Sequence, residues 1–410
     1  MVLTHYNKTV LPNGLIIVSE KIPTLKSVSV GVWIKTGSRQ ESIELNGLAH
    51  YLEHMLFKGT ERRTAREIAR SLESVGGYLN AFTGKEQTCF YAEILDDQLS
   101  RAIDVLSDMI CHSILAPKEI EREREIILDE IHSIEDTPDD LVQDIFIEKL
   151  YPNHALGYPI LGVKQTVKHI CREHLIDFHR NHYTTDNIVI AAAGNLNHQR
   201  LVDLCELKFQ LPALHISINH TAPQKLGHGE FILERSVNQT HICVGTAALP
   251  YNHHRKFELL ILNTILGAGM GSRLFQNMRE KYGIAYSIYS YVDFFADNGL
   301  MAIYLGTEKN KRDKALILLE KELNNLKKKP ISQNELKRVK AQLKGNLILG
   351  LENSSKRMSR LAKMEIYLQK FYDIEYIIQE IDRVTQEGIF DLSHQLFNTE
   401  RMLQVAFLPN

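Results

Sequence analysis

The sequence predicts an α+β fold built as two tandem copies of a mixed sheet, with helices packed on one face. Three observations predict it. Strand-like runs and helical runs occur in groups, without the regular βα alternation of a parallel sheet. Similar stretches recur at one long offset. Ile188 in His182-Tyr-Thr-Thr-Asp-Asn-Ile-Val-Ile matches Met402 in Leu396-Phe-Asn-Thr-Glu-Arg-Met-Leu-Gln. Gly31 in Val30-Gly-Val matches Gly245 in Val244-Gly-Thr, and Glu119 in Ala116-Pro-Lys-Glu matches Glu335 in Ser332-Gln-Asn-Glu. The offsets are 214, 214 and 216. Finally, 410 residues supply enough chain for two cores. The stretch from Leu211-Pro-Ala to Gly227-His-Gly carries turn residues and loses periodicity. The expected division is therefore 1–213, a linker at 214–228, and 229–410.

In chain order, Thr9-Val-Leu, Leu15 to Val18 and Ser27 to Ile34 read as strands, the first two around a Pro12-Asn-Gly turn. An apolar helix follows within Gly47–Thr60. Thr64-Ala-Arg-Glu67 is a capping box that opens a second helix, which Gly76-Gly77 ends. Tyr78 to Leu95 alternates like strand. Helices are expected at about 97–115, 117–136 and 138–150, and Ile188 to Gly194 is an apolar run suited to a buried strand.

Composition narrows the function classes. A content of 44% apolar and 24% charged residues is that of a soluble globular protein, and a net charge of −2 gives no basic field for nucleic acid. Five cysteines (Cys89, Cys111, Cys171, Cys205, Cys243) have no metal-type spacing and suit free thiols in a reducing compartment. No signal-peptide pattern opens the chain and no apolar run is long enough for a bilayer, so the expected location is cytoplasmic.

The chemistry-bearing stretch is Gly47-Leu-Ala-His-Tyr-Leu-Glu-His-Met-Leu-Phe-Lys-Gly-Thr60. Residues i and i+4 share a helix face, so His50 and His54 can meet one metal ion, with Glu53 beside them. Two imidazoles and a carboxylate make half of a hydrolytic zinc site. The rings bind the ion, and the carboxylate can take a proton from water the ion activates. The order His-x-x-Glu-His inverts the commoner zinc-protease pattern. The alternative is a core helix with two hydrogen-bonded histidines and a capped glutamate. A third ligand is expected in the helix from Pro117 to Glu135, whose apolar stripe is Ile120, Ile127, Ile131 and Ile134. Glu123 and Glu130 fall on that stripe, whereas Glu121 and Glu125 fall off it among Arg122 and Arg124. Carboxylates on a buried stripe need a partner. Glu130 is therefore the expected third ligand, and Glu123 an auxiliary carboxylate of the same site. The second copy bears on this assignment. The stretch aligned with the metal helix, Thr264 to Met270, has no histidine or acid, and Asn346 stands where Glu130 would be.

His50-x-x-Glu53-His54, with Glu130 inside Glu-Arg-Glu-Arg-Glu-Ile-Ile-Leu-Asp-Glu, resembles the pitrilysin superfamily of inverted-motif zinc peptidases. Within it, the likeness is to the short-chain branch that includes mitochondrial processing peptidase and its bacterial homologues, and it covers essentially the whole chain. The resemblance implies a zinc metalloendopeptidase holding one Zn2+ per chain through His50, His54 and Glu130, with Glu53 and Glu123 in catalytic roles. It also implies that Asn80 and Ala81, on a strand after the Gly-Gly break, hold an extended peptide. Arg279 and Tyr286, in Gly271-Ser-Arg-Leu-Phe-Gln-Asn-Met-Arg-Glu-Lys-Tyr-Gly-Ile-Ala-Tyr286, would grip a substrate carbonyl. From residue type alone, Asn80 reads as a turn residue, Arg279 as an exposed helix arginine and Tyr286 as a packed strand tyrosine. The family's longer members enclose substrate between four such domains. A chain with two implies a homodimer acting on peptides or unfolded segments. A heterodimer half, or a catalytically silent peptide-binding subunit, is the alternative.

Overall fold

The computed structural model describes residues 5–213 and 221–410. The first part of the expected linker, 214–220, lies outside the described residues. In chain order the first copy runs β1 (His5–Val10), β2 (Ile16–Lys21), β3 (Ser27–Ile34), α1 (Leu48–Leu56), α2 (Ala65–Glu73), β4 (Tyr78–Thr83), β5 (Thr88–Leu95), α3 (Leu99–His112), α4 (Pro117–Glu135) and α5 (Pro138–Leu150). It continues with α6 (Lys164–His169), α7 (Arg172–His182), β6 (Ile188–Gly194) and α8 (His198–Lys208). The second copy runs β7 (Gly229–Arg235), β8 (Thr240–Ala248), α9 (Lys256–Leu266), a π-helical turn (Phe275–Lys281), β9 (Ala285–Phe294), β10 (Gly299–Thr307), α10 (Arg312–Lys328) and α11 (Gln333–Gly350). It ends with α12 (Ser354–Leu368), α13 (Ile374–Arg383), α14 (Gln386–Leu396) and β11 (Leu403–Pro409). The expected capping box is present. Thr64 accepts the Glu67 N–H while the Glu67 carboxylate accepts from Thr64.

Both sheets are mixed, and they share one topology. The first has the order β1-β2-β6-β3-β5-β4 and the second β7-β11-β8-β10-β9. Without β1 the two orders superpose strand for strand. Each has one parallel pair, β2 with β6 and β7 with β11, and antiparallel pairs elsewhere. The internal repeat read from short motifs is thus a repeat of topology.

The compact units are not the two contiguous segments expected. The first unit takes the described chain up to His132, Tyr158 to residue 213, and Leu349–Tyr372. The second takes Ser133–Gly157, residue 221 to Ile348, and Asp373–Asn410. The cause is a reciprocal exchange of one helix. Most helices of each copy gather on one face of their own sheet, as expected, but the opposite face is covered by a helix from the other copy. On the first sheet, α12 sets Met358, Leu361 and Ala362 against Val18, Trp33, Cys89, Val189 and Ala191. On the second, α5 sets Val142, Phe146 and Leu150 against Cys243, Leu300, Val405 and Phe407. The matched glycines Gly31 and Gly245 sit under these helices. A Cβ on Gly31 would lie 2.5 Å from the Met358 sulfur, and one on Gly245 would lie 2.9 Å from the Phe146 ring. A glycine inside a strand here marks close approach of another segment.

All five cysteines are free. Among the described residues no helix is long and apolar enough to cross a membrane.

Candidate metal centre

The site is built on α1, and its N-terminus is fixed from both sides. Gly47 caps it at φ +99°, and a Cβ there would meet the Leu161 carbonyl oxygen at 2.6 Å. The buried Glu41 carboxylate accepts the N–H groups of Gly47 at 2.8 Å and Ala49 at 2.6 Å, and the Asn46 amide at 2.9 Å. Carboxylate oxygens at a helix N-terminus satisfy orphan donors and oppose the helix dipole. Burial pushes the Glu41 carboxyl up to about 7, against the pull of these hydrogen bonds. Leu48, Leu52, Met55 and Leu56 are buried, as the apolar pattern predicts, and the Tyr51 hydroxyl donates to the Ile120 carbonyl. That bond ties α1 to α4, which carries the distant carboxylates.

Three atoms able to ligate a metal converge. His50 Nε2 is 3.8 Å, and His54 Nε2 3.7 Å, from Glu130 Oε2. The ring centroids of the two histidines are 4.6 Å apart. His50, His54 and Glu130 form a group whose ligand atoms all lie within 4.8 Å of one another, the one such group of three among the described residues. These separations are too long for hydrogen bonds. They suit atoms sharing an ion bonded at about 2.0–2.2 Å. Burial, with the neighbouring His54, pushes His50 down to about 3, so its ring is neutral and keeps a lone pair at neutral pH. Its buried Nδ1 has no hydrogen-bond partner. Two imidazole nitrogens and a carboxylate oxygen are a donor set that fits zinc.

Glu123 and Glu130 occupy different environments. Glu123 is 2% exposed, and its Oε2 lies 3.1 Å from His54 Nδ1. A carboxylate on the far nitrogen of a ligating ring fixes its tautomer and orientation. The Glu130 side chain is 41% exposed, so the expectation of a fully buried carboxylate fails there. Glu130 stands at the margin of the stripe, and the cluster opens to solvent beside it. Glu121 and Glu125 face solvent, as expected.

Glu53 is buried and accepts a hydrogen bond from the Thr83 hydroxyl on β4. Burial raises its carboxyl above the ordinary range. The Thr83 hydrogen bond and His54 pull it back, and Glu130 pushes it further up. Strand β4 is a sheet edge, bonded on one side to β5. Leu79 and Ala81 pack on the α1 side of the sheet with Thr83. Strand alternation puts Asn80 on the other face with Tyr78 and Phe82. There the Asn80 amide donates to the Tyr78 hydroxyl, and its Oδ1 accepts the Ala81 N–H at 2.8 Å. Ala81 therefore stands on the Glu53 side of the edge strand, and the Asn80 side chain does not.

Arg279, in the π-helical turn, and Tyr286, on β9, are brought together in the second unit, with the guanidinium 5.8 Å from the tyrosine ring centroid. Tyr286 is 75% exposed, so it is not the packed tyrosine its residue type suggests. The second copy's counterpart of the metal helix is α9, Lys256–Leu266, which begins before the stretch aligned from motifs. It has no histidine. Its acid, Glu258, pairs with Arg255 at 2.6 Å. Asn346 lies as far into α11 as Glu130 lies into α4, so that correspondence holds.

The sequence reading missed Glu41, Tyr51 and Thr83. Thr83 was accessible in principle, because period-two alternation puts it on the face of Ala81. Glu41 and Tyr51 carry no comparable signal, since Glu41 is held by backbone N–H groups and the Asn46 side chain, and Tyr51 by a backbone carbonyl, all outside any periodic pattern.

Comparison with known proteins agrees over the whole chain. Residues 16–164 match the family model described as "Insulinase (Peptidase family M16)". Residues 169–343 match the one described as "Peptidase M16 inactive domain". An uncharacterized zinc protease of Bacillus subtilis is 41% identical over 397 residues, which is 95% of each chain. One from Rickettsia felis is 34% identical, over 96% of each. A crystal structure of a protease from Helicobacter pylori superposes with a TM-score of 0.91 at 22% identity, covering 99% of this chain and 100% of that one. A Pseudomonas fluorescens structure described as a peptidase M16 inactive domain gives 0.93 at 20% identity, with 99% and 98% covered. The two structures share the fold, the sequence relatives run the full length of the chain, and the chain belongs to peptidase family M16, the zinc-protease family.

Proposed function

We propose that this chain is a zinc-dependent metalloendopeptidase that cleaves peptides or unfolded segments. The observation that carries the reading is the convergence of His50, His54 and Glu130 on one point, at separations set for a common ion, next to the buried Glu53. Bound there, zinc would supply a Lewis acid that polarises a carbonyl and makes water nucleophilic near neutral pH. The chain's own residues do the rest. Glu53 accepts a proton from the attacking water and returns it to the leaving amine. Thr83 holds the Glu53 carboxylate in place. Glu123 keeps His54 Nε2 free to ligate. The free edge of β4 offers main-chain hydrogen bonds to an extended peptide, with Ala81 on the side of Glu53.

Arg279 and Tyr286 bind a substrate carbonyl in this reading, because an exposed guanidinium and phenol in one place are unspent donors. Two copies of the chain form the enclosure, each contributing one metal centre.

The test measures zinc content and cleavage of internally quenched peptides, with and without a chelator. One zinc per chain and chelator-sensitive internal cleavage are expected. Zinc without cleavage of any peptide in a diverse library would instead favour a silent peptide-binding subunit. Light scattering of the lone chain reports whether it forms a dimer.

A further inference from the structure

Lys58 is the second residue after α1. Its N–H bonds the Met55 carbonyl at 3.0 Å, so the last turn of α1 anchors it. Its Nζ lies 2.8 Å from Glu123 Oε1, while the other oxygen of that carboxylate lies 3.1 Å from His54 Nδ1. Each Glu123 oxygen thus has its own partner, the Lys58 ammonium as an ion pair and the His54 ring as a hydrogen bond. A carboxylate oxygen only accepts, so His54 Nδ1 carries the hydrogen. Nε2 then keeps its lone pair, directed at the side where Glu130 Oε2 waits at 3.7 Å. His50 has no such hold, since its buried Nδ1 lacks a partner. Orientation of the ligand set therefore depends on the one ring that Glu123 grips.

We propose that Lys58 is a positioning residue of this centre: its ammonium pins Glu123, Glu123 holds His54 in the ligating tautomer, and the chain's affinity for a divalent cation follows. This rests on the metal-centre reading above. Without the ammonium, Glu123 Oε1 loses its ion-pair partner, and the carboxylate can turn from Nδ1 toward solvent or toward the cation. Lys58 is a partly exposed side chain at a helix end, so replacing it leaves the core intact.

The experiment uses the full chain with K58M, which keeps the length and loses the donor, and K58R, which keeps a cationic donor. Zinc affinity is measured by competition with a chromophoric chelator. The His54 ring nitrogens are read by 15N NMR in the metal-free protein. Removing a group that orients a metal ligand weakens binding on the order of 10- to 100-fold. That loss is expected for K58M, together with mixing of the His54 tautomers, and K58R should recover most of both. Wild-type affinity and a single tautomer in K58M would overturn the proposal. If K58M fails to fold, K58Q is judged by the same two readings. If the wild-type chain holds no zinc, the proposed function falls, and the tautomer measurement still decides the role of Lys58.

Discussion

The Thr83 hydroxyl donates its hydrogen to Glu53 Oε2, joining the edge strand β4 to the helix that carries the metal pair. This bond stabilises the ionised carboxylate against the burial that raises it. Thr83→Val keeps the shape and removes the donor. The folded-state carboxyl then rises further, so the base is ionised only at higher pH. The acid limb of the kcat/KM profile should move toward higher pH with zinc content unchanged. An unmoved acid limb would show that the bond does not act on the base.

The side-chain hydrogen bond of Glu53 runs to Thr83 and not to His50, His54 or Glu130, so removal of Glu53 separates chemistry from metal binding. Glu53→Gln should keep zinc and lose turnover on the order of 10²- to 10⁴-fold, the usual contribution of a positioned base. Full activity in that variant would remove Glu53 from the mechanism.

Glu130 is the proposed third ligand, carried on α4 rather than on the helix of the two histidines. Glu130→Gln leaves both histidines in place and replaces a charged donor atom with a neutral one. Weaker zinc retention on dialysis is expected, with activity restored at high zinc concentration. Retention equal to that of the wild type would exclude Glu130 as a ligand.

Arg279 and Tyr286 lie in the copy without a ligand group. Substituting Arg279→Ala or Tyr286→Phe should lower kcat/KM by about 10²-fold, as for loss of one donor to a developing oxyanion, with zinc content untouched. Unchanged kinetics in both variants would return them to being surface residues.

Gly31 has no room for a methyl group under α12. Gly31→Ala forces a shift of Met358 or of the strand, and overpacking of this kind costs about 1–3 kcal/mol. A urea midpoint equal to that of the wild type would mean that α12 moves aside freely.

Much of the metal centre could be read from residue spacing, because its members repeat along helices. His50, Glu53 and His54 follow from i, i+3, i+4 spacing. Glu123 follows from an apolar stripe that would otherwise bury charge, whereas Glu130 stands at the margin of that stripe and is partly exposed. The Asn346 correspondence followed from aligning two helix starts. The supports were hidden. Glu41 reaches backbone N–H groups, Tyr51 reaches a carbonyl, and Thr83 reaches across from a strand, none of which leaves a periodic trace. The exchange of α5 and α12 was hidden for a different reason. Apolar periodicity says that a helix has a buried face, not which sheet receives it. The only trace was the pair of glycines inside matched strands, which reads as a repeat motif until the overlying helix is seen.

That exchange bears on how the protein can be made and how it breaks. A gene cut at the join would yield two fragments, each carrying the roof that belongs to the other and leaving its own β-layer bare on one side. Neither fragment should be soluble by itself, whereas the two produced together should assemble into one folded whole. A nick at the join should leave the fold assembled, since the two pieces hold one another by the helices they have traded.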